Sequence, residues 1–203
     1  MSDRADPFAI VVDANVLAGA LTRNIILSLA EAGFFRPYWS FRILDEFERY
    51  CAKRTGSAQN AKKQRLRIDA AFPEAIVGDI DAIEEGLNLP DLDDRHVLAA
   101  AIKAKAAVIV TQNVRDFPAS ELETHDIQTL TLDQFVADIL DLAGPEAVAA
   151  LRLMRERFEN PEITAEELIL KVETLGMSRS AILPSWRLCA KISTSTVKKA
   201  NPS

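Results

Sequence analysis

The chain has 203 residues, of which 48% are apolar and 27% charged, and its net charge at pH 7 is −6. This composition is that of an ordinary globular protein, and the negative balance argues against one that coats nucleic acid non-specifically. There is no apolar run long enough to span a bilayer and no signal-peptide stretch, and the two cysteines, Cys51 and Cys189, lack metal spacing. We therefore expect a cytoplasmic protein without membrane contact.

The first half of the chain predicts alternating strands and helices. Residues 8–12 form an apolar run typical of a buried strand, and residues 15–32 have helical periodicity that ends at Gly33. Ser40 can cap a further helix whose apolar face extends to Tyr50. The next predicted elements are a helix over 58–71, a short strand over 75–77 and a helix over 79–85.

The second half continues this alternation and then becomes purely helical. The predicted elements are a helix that starts at Asp91 or Asp93, strands over 106–110 and 127–130, and helices over 146–159 and 165–175, the last opened by a Thr164/Glu167 capping box. Strands separated by helices indicate right-handed crossovers and a parallel sheet. We predict an α/β domain over 1–142, a helical extension over 145–176 and a weakly ordered basic tail over 177–203.

Four acidic residues stand beside apolar runs and far apart along the chain. Asp13 directly follows the first strand and Asp116 follows the strand over 106–110, and ligands bind beyond the carboxyl ends of parallel strands. Asp94 belongs to three acids in four residues, more than a helix cap requires, whereas Glu46 resembles an ordinary solvated residue. Carboxylates that converge in one pocket stay protonated or share a cation, most commonly a hard divalent ion.

Basic residues are concentrated in two stretches without any acid, 51–68 and 176–203. Either stretch can face a polyanion, although a solvated helix face and a loose tail explain them equally well. The candidates for contact with a phosphate backbone in the first stretch are Lys53, Arg54, Lys62, Lys63 and Arg65. Upstream, Tyr38 and Trp39 could stack on a base, but packing at a strand edge explains them better.

Taken in order, the segments DANVL, LDEF, DLDDRHVLAAA and IVTQNVRDFP resemble the PIN-domain nucleases, especially the VapC-like toxins of toxin–antitoxin pairs. The resemblance covers about residues 8–135, and its last two motifs are the most specific. It implies a PIN-like fold, a central parallel sheet flanked by helices, with Mg²⁺- or Mn²⁺-dependent endoribonuclease activity on RNA. It also implies a cognate antitoxin protein and a homodimer, whereas the C-terminal helical extension lies outside the common core.

The resemblance assigns an acidic quartet to this chain. The matching residues are Asp13, Glu46, Asp94 and Asp116. By this likeness Asp13, Asp94 and Asp116 hold one or two metal ions and Glu46 completes the cluster. Asp94 is preferred to the neighbouring Asp93 because its spacing to the following VLAAA helix and VIVT strand fits the family better.

Three polar residues are assigned supporting roles. Asn113 matches a position that is acidic in many relatives, so the fourth acid here is Asp116, and Asn113 or Thr111 orients the attacking water or a carboxylate. Asn15, two residues after Asp13, caps the following helix or orients that carboxylate.

Other functions fit the sequence less well or remain open beside the nuclease. A haloacid-dehalogenase-like phosphatase needs a second Asp where Asn15 stands, and a phospho-receiver domain needs acids clustered after its first strand. A PIN-like module that binds RNA or protein without cutting, and a housekeeping RNA-processing nuclease, remain alternatives. The two histidines, His96 and His125, lack metal-ligand spacing and are interpreted as incidental.

Overall fold

A computed structural model describes residues 7–159 and 161–181. The chain divides into two compact units between Leu132 and Asp133, earlier than the boundary predicted at residue 142. In this division almost all of the helix that follows the last strand belongs to the second unit.

The first unit contains a five-stranded parallel sheet in the order β3-β2-β1-β4-β5. Its strands are β1 (Ala9–Val12), β2 (Arg36–Ser40), β3 (Ile76–Val77), β4 (Val108–Val110) and β5 (Gln128–Leu130). After β1 the chain adds β2 and then β3 on one side of β1, and β4 and then β5 on its other side. The strand order therefore reverses between β1 and β4, which is where open parallel sheets form ligand sites. The predicted parallel α/β architecture is confirmed.

Helices connect these strands. They are α1 (Ala14–Ala18), α2 (Ala20–Glu31), α3 (Phe41–Thr55), α4 (Ala58–Ala71), α5 (Asp81–Glu84), α6 (Arg95–Ala104) and α7 (Ala119–Leu122). The buried residues of the central strands β1 and β4 are aliphatic throughout, as expected of strands covered on both faces. The bounds of α4 coincide with the predicted helix over 58–71.

The single helix predicted over 15–32 is wrong, because the chain breaks into α1 and α2 at Gly19. Gly19 is extended (φ −76°, ψ 128°), and the Thr22 hydroxyl donates to the carbonyls of Val16 (2.7 Å) and Gly19 (3.0 Å). A Cβ on Gly19 would lie 2.3 Å from that hydroxyl oxygen. The apolar periodicity runs through the break and therefore conceals it.

Helix α3 begins as predicted, since the Ser40 hydroxyl accepts from the backbone N–H of Ile43 (3.2 Å). Its buried face comprises Ile43, Leu44, Phe47 and Cys51. Tyr50 was assigned to this face but is 54% exposed, because it lies on the next stripe of the helix.

The second unit consists of four helices in the described residues. They are α8 (Leu132–Leu142, whose first residue belongs to the first unit), α9 (Gly144–Glu156), α10 (Ala165–Thr174) and α11 (Ser178–Ala181). The predicted capping box at the start of α10 is present, with Thr164 and Glu167 each accepting from the other's backbone N–H. The Asp133 carboxylate accepts from the backbone N–H groups of Arg179 (3.0 Å) and Ser180 (2.8 Å) and from the Ser180 hydroxyl (2.8 Å).

Most of the predicted basic tail lies outside the described residues, which end at residue 181. Among the helices of the described part, none combines the length and the apolar composition that a membrane span requires.

Candidate functional site

Asp13 is held by a hydrogen-bond network at the ends of β1 and β4. Its backbone N–H donates to the Val110 carbonyl (3.0 Å), which continues the pairing of the two strands. Its buried carboxylate accepts from the Asn15 amide (2.6 Å) and from the Thr111 hydroxyl (2.7 Å) through the same oxygen. The Asn15 amide also donates to the Thr111 hydroxyl (3.0 Å). Asn15 and Thr111, two of the residues predicted to have supporting roles, thus fix the orientation of this one carboxylate.

The loop after β4 brings Asn113 and Asp116 to the same edge of the sheet. The Asn113 backbone N–H donates to the Thr111 hydroxyl (3.0 Å), while the Gln112 backbone N–H donates to the Asn15 side-chain oxygen (3.1 Å). Asp116 follows in a single 3₁₀ turn, half-buried. This loop is therefore tied to the residues that orient Asp13.

Glu46 reaches the site from the side of α3, half-buried, with a fully buried histidine behind it. The His96 Nε2 atom lies 3.2 Å from Glu46 Oε1, and the Arg49 guanidinium lies 3.7 Å from the same oxygen. His96 Nδ1 has no hydrogen-bond partner in the part of the chain that the structure describes. Since a carboxylate can only accept, this contact places the proton on Nε2.

The three neighbouring acids before α6 have different roles. The Asp91 carboxylate accepts from the Asp93 backbone N–H (2.9 Å) and so caps the short 3₁₀ turn Leu92–Asp94. Asp93 is exposed, whereas Asp94 is half-buried. Burial, followed by the charges of Asp13, Asp91 and Asp116, raises the pKa of Asp94 to about 6.

Electrostatic coupling joins the four predicted acids into one site. Burial also raises the pKa of Asp13, with a smaller contribution from the charge of Glu46, while the hydrogen bond from Thr111 opposes the shift. The charges of Asp13 and Asp116 in turn contribute to the raised pKa of Asp94. Residues separated by up to about a hundred positions therefore repel one another at one edge of the sheet.

An open cleft of about 410 Å³, here called the acidic cleft, is lined by two of the four predicted acids, Glu46 and Asp94, whereas Asp13 and Asp116 do not line it. It is lined by Glu46, Arg49, Tyr50, Lys53, Asp91, Asp93, Asp94 and Asn113. Arg49 and Tyr50 were not predicted as site residues from the sequence. Their spacing could have indicated this role, because residues at positions three, four and seven after Glu46 share one helix face with it.

The chemistry of the site suits a hard cation. The candidate ligands are carboxylate oxygens, which Mg²⁺ and Mn²⁺ prefer, and the pKa of Asp94 is raised by burial and then by repulsion from Asp13, Asp91 and Asp116, which a cation would relieve. Among the described residues, no three carboxylate, imidazole or thiol groups are grouped closely enough to hold a metal ion by themselves.

The five basic residues proposed to contact RNA are distributed over different surfaces. Lys53 lines the acidic cleft, while Arg54 and Lys63 line a second cavity, and Lys62 is exposed. Arg65 forms ion pairs with Asp45 and with Glu48 (3.2 Å), so two carboxylates already neutralise its charge.

Comparison with known proteins identifies the family of this chain. The profile of the PIN domain matches residues 9–115, a range that starts at β1 and extends past β4 to the loop that carries Asn113. The chain belongs to the PIN-domain family. PIN nucleases generally use divalent metal ions.

A second family profile and one relative also match the chain. The profile of the VapC50 C-terminal domain matches residues 132–183, close to the division between the two units. A Mycobacterium tuberculosis protein named "Putative ribonuclease VapC50" is 40% identical over 76 residues, which are 37% of this chain and 45% of that protein. The matched segment thus spans less than half the length of this relative. No solved structure matches the chain.

Proposed function

We propose that this PIN-domain protein is a metal-dependent endoribonuclease, and that it is the toxin of a toxin–antitoxin pair. The observation that carries the proposal is the convergence of Asp13, Glu46, Asp94 and Asp116 from four separate segments. They are close enough that, in addition to burial, the charge of Glu46 raises the pKa of Asp13 and the charges of Asp13 and Asp116 raise the pKa of Asp94. A protein keeps such an arrangement where the charges are needed for a bound cation. The similarity to the mycobacterial protein named as a ribonuclease supports RNA as the substrate.

In this proposal Asp13, Asp94 and Asp116 hold Mg²⁺ or Mn²⁺, and Glu46 completes the cluster. The bound ion supplies Lewis-acid chemistry, neutralising the phosphate and activating water for attack. Thr111 and Asn15 keep the Asp13 carboxylate in one orientation, so it requires no reorganisation when substrate binds.

Hydrolysis proceeds by in-line attack of a water molecule on the scissile phosphodiester. The new P–O bond forms as the bond to the 3′ oxygen breaks, which leaves a 5′-phosphate and a 3′-hydroxyl. Asn113 lines the acidic cleft and is placed to orient the water or a neighbouring carboxylate. Lys53 lies in the same cleft and offsets the repulsion between its acids and the RNA phosphates.

Cleavage of RNA by the purified full chain tests this proposal. We expect Mg²⁺-dependent cleavage that EDTA abolishes and that Asp13→Asn and Asp94→Asn each reduce by at least about 100-fold, as for loss of a group that acts in the transition state. Asp126→Asn is the matched control, since Asp126 is exposed and its left-handed backbone (φ 56°) accommodates asparagine. Cleavage that persists in EDTA would exclude the metal mechanism.

The toxin role, the cognate antitoxin, the homodimer and a cytoplasmic location belong to the same proposal and are supported by the family likeness. Expression of the wild-type chain should arrest growth, and Asp94→Asn should not. A short reading frame beside the gene whose product restores growth would identify the antitoxin. Normal growth on expression of an active enzyme would instead favour a housekeeping RNA-processing nuclease.

A further inference from the structure

A buried arginine in α2 lacks a counter-ion. Arg23 is 8% exposed, and its guanidinium donates to the Leu17 carbonyl (2.7 Å) and lies 5.4 Å from the ring centre of Phe47. Its other nitrogen contact is long, 3.5 Å to the Gln64 side-chain oxygen. Arg23 forms no salt bridge with a carboxylate of the described residues. The Cys51 thiol also interacts with this guanidinium, and burial raises the pKa of that thiol, so it stays neutral. None of these partners carries a negative charge, and the buried positive charge is therefore available to an anion.

Arg23 lies at a second cavity of about 480 Å³, here called the basic cavity. Three further cations line it, Arg54 from α3 and Lys63 and Arg67 from α4, and its lining contains no acidic residue. Within the described part of the chain these three also form no salt bridge, in contrast to Arg65 on the same helix. Four cations therefore face one cavity without internal neutralisation.

The composition of the lining indicates which part of a ligand the basic cavity can recognise. The polar residues are Asn60, Gln64 and Thr55, the apolar ones are mostly alanines, and no aromatic side chain is present. Arginine and lysine are the usual partners of phosphate, whereas unpaired bases are generally held by aromatic stacking. The lining thus favours a phosphate and its sugar over a base.

The basic cavity is close to Asp13 through α1 and to the acidic cleft through α3. Helix α1 begins directly after Asp13 and ends at Ala18, which lines the basic cavity, so its five residues span about 7 Å. On α3, Lys53 lines the acidic cleft and the adjacent Arg54 lines the basic cavity. An extended polyanion can therefore pass from one to the other along the end of α3.

We propose that the basic cavity binds a phosphodiester group of the substrate RNA, a few nucleotides away from the bond that is cut at the acidic cleft. The proposal rests on the ribonuclease function proposed above. Because the contact is made to the backbone, it positions the strand without reading its sequence. Arg23 contributes a preorganised buried charge, and Lys63, Arg67 and Arg54 close around the phosphate from the surface.

The test compares two exposed lysines on different helices. Lys63→Gln removes a charge from the basic cavity, and Lys103→Gln removes the same charge from an exposed position on α6 that lines neither this cavity nor the acidic cleft. Both are made in the full chain carrying Asp94→Asn, so that bound RNA is not cut. Binding of a fluorescent single-stranded oligouridylate is measured by anisotropy between about 50 and 200 mM salt.

We expect Lys63→Gln to lower the slope of log affinity against log salt by about 0.7, and the affinity at 0.1 M salt by roughly fivefold. Arg67→Gln should behave in the same way, and Lys103→Gln should match the parent. Equal salt slopes for Lys63→Gln and Lys103→Gln would overturn the proposal. Arg23 itself is unsuitable as the test because its hydrogen bond to Leu17 also stabilises the end of α1.

Two further ligands test whether the basic cavity prefers RNA to other anions. A cleavage assay distinguishes failure of this proposal from failure of the nuclease function. If Lys63→Gln weakens binding of a polyglutamate peptide or of uridine monophosphate but leaves RNA binding unchanged, the phosphodiester proposal fails. If wild-type protein cuts no RNA but its binding still depends on Lys63 and Arg67, the nuclease function fails while the basic cavity stands as an RNA-phosphate site.

Discussion

At the scale of single residues, the raised pKa of Asp94 shows the effect of burial and of the neighbouring acidic charges. Its carboxyl retains a proton up to about pH 6 in the folded protein, compared with a usual value of 3.8. Between these values the unfolded chain has lost the proton that the folded chain keeps. The free energy of unfolding contributed by this group therefore falls as the pH rises through that window.

We predict that Asp94→Asn stabilises the metal-free protein above about pH 6. The expected gain in the free energy of unfolding is about 1–2 kcal/mol, less than the full shift implies because the carboxyl is only half-buried and its repulsion is screened. Denaturant unfolding in EDTA across the pH range measures it, with Asp126→Asn as the control. Equal stability of wild type and Asp94→Asn at pH 7.5 would contradict the prediction.

A second prediction at the scale of residues concerns His96, whose buried imidazole contacts the Glu46 carboxylate. His96→Leu removes the donor, whereas His96→Gln can place an amide N–H near the position of Nε2. We expect the leucine variant to cleave RNA about 10- to 100-fold more slowly or to need correspondingly more Mg²⁺, as is typical when the support of a metal ligand is lost. Glutamine should restore part of the loss.

A Glu46→Gln background provides the control for His96. If the histidine acts through Glu46, His96→Leu has little further effect on cleavage once Glu46 is replaced. Independent, additive losses would show that His96 serves only the packing of the core. Melting temperatures of all variants distinguish loss of folding from loss of positioning.

Strand topology predicts where two of the candidate acids lie, whereas the contact of Glu46 with His96 could not be predicted from the sequence. Asp13 and Asp116 follow strands, and strand topology alone sends them to one edge of the sheet. His96 was interpreted as incidental, because a single histidine on an apolar helix gives no indication of which residue it faces. Its partner Glu46 lies fifty residues away on another helix, so only the packing of α3 against α6 reveals the pair.

At the scale of elements, the break at Gly19 determines where α1 ends and thus where the basic cavity opens. We predict that Gly19→Ala lowers the free energy of unfolding by about 1–3 kcal/mol, the usual cost of forcing an extra methyl group into a packed site. Its Cβ would lie 2.3 Å from the Thr22 hydroxyl, which cannot rotate away without losing two hydrogen bonds.

Gly78→Ala is the matched control for this substitution. A Cβ at Gly78 meets nothing within 4 Å, so the same chemical change should leave stability unchanged or slightly increased. Denaturant unfolding of both variants gives the comparison. Equal losses at the two positions would mean that the contact with Thr22 is unimportant.

Element prediction succeeded where local chemistry decides the structure and failed where distant contacts do. Ser40 and Thr164 cap helices through neighbours three residues away, and both were anticipated. Strand β2 was not, because Pro37 has no N–H for the ladder and the charged Arg36 interrupts the apolar pattern. That strand forms only because its neighbours β1 and β3 provide partners on both sides.

At the scale of the whole molecule, Asp133 links the beginning of the second unit to its last described helix. Its carboxylate accepts three hydrogen bonds from Arg179 and Ser180. We predict that Asp133→Ala lowers the stability of this unit by about 2–4 kcal/mol, since hydrogen bonds to a charged group are stronger than neutral ones. Hydrogen exchange of α11 and thermal unfolding provide the measurement.

Asp138→Ala is the corresponding control. Asp138 lies on the same helix and pairs with the same arginine (3.2 Å), but both side chains are about half exposed. Exposed pairs contribute little, so this variant should lose less than about 0.5 kcal/mol. A loss as large as that of Asp133→Ala would assign the stabilisation to general surface charge.

The pairing of β1 with β4 also has a consequence for synthesis of the protein. Thr111 and Asp116 leave the ribosome about a hundred residues after Asp13, and β1 has no β4 to pair with until they do. A nascent chain or a truncated product that ends before β4 therefore carries three of the four acids but lacks Asp116 and also Thr111, which donates to the Asp13 carboxylate. On the proposed nuclease function, more than half of the chain is synthesised before a complete active site exists.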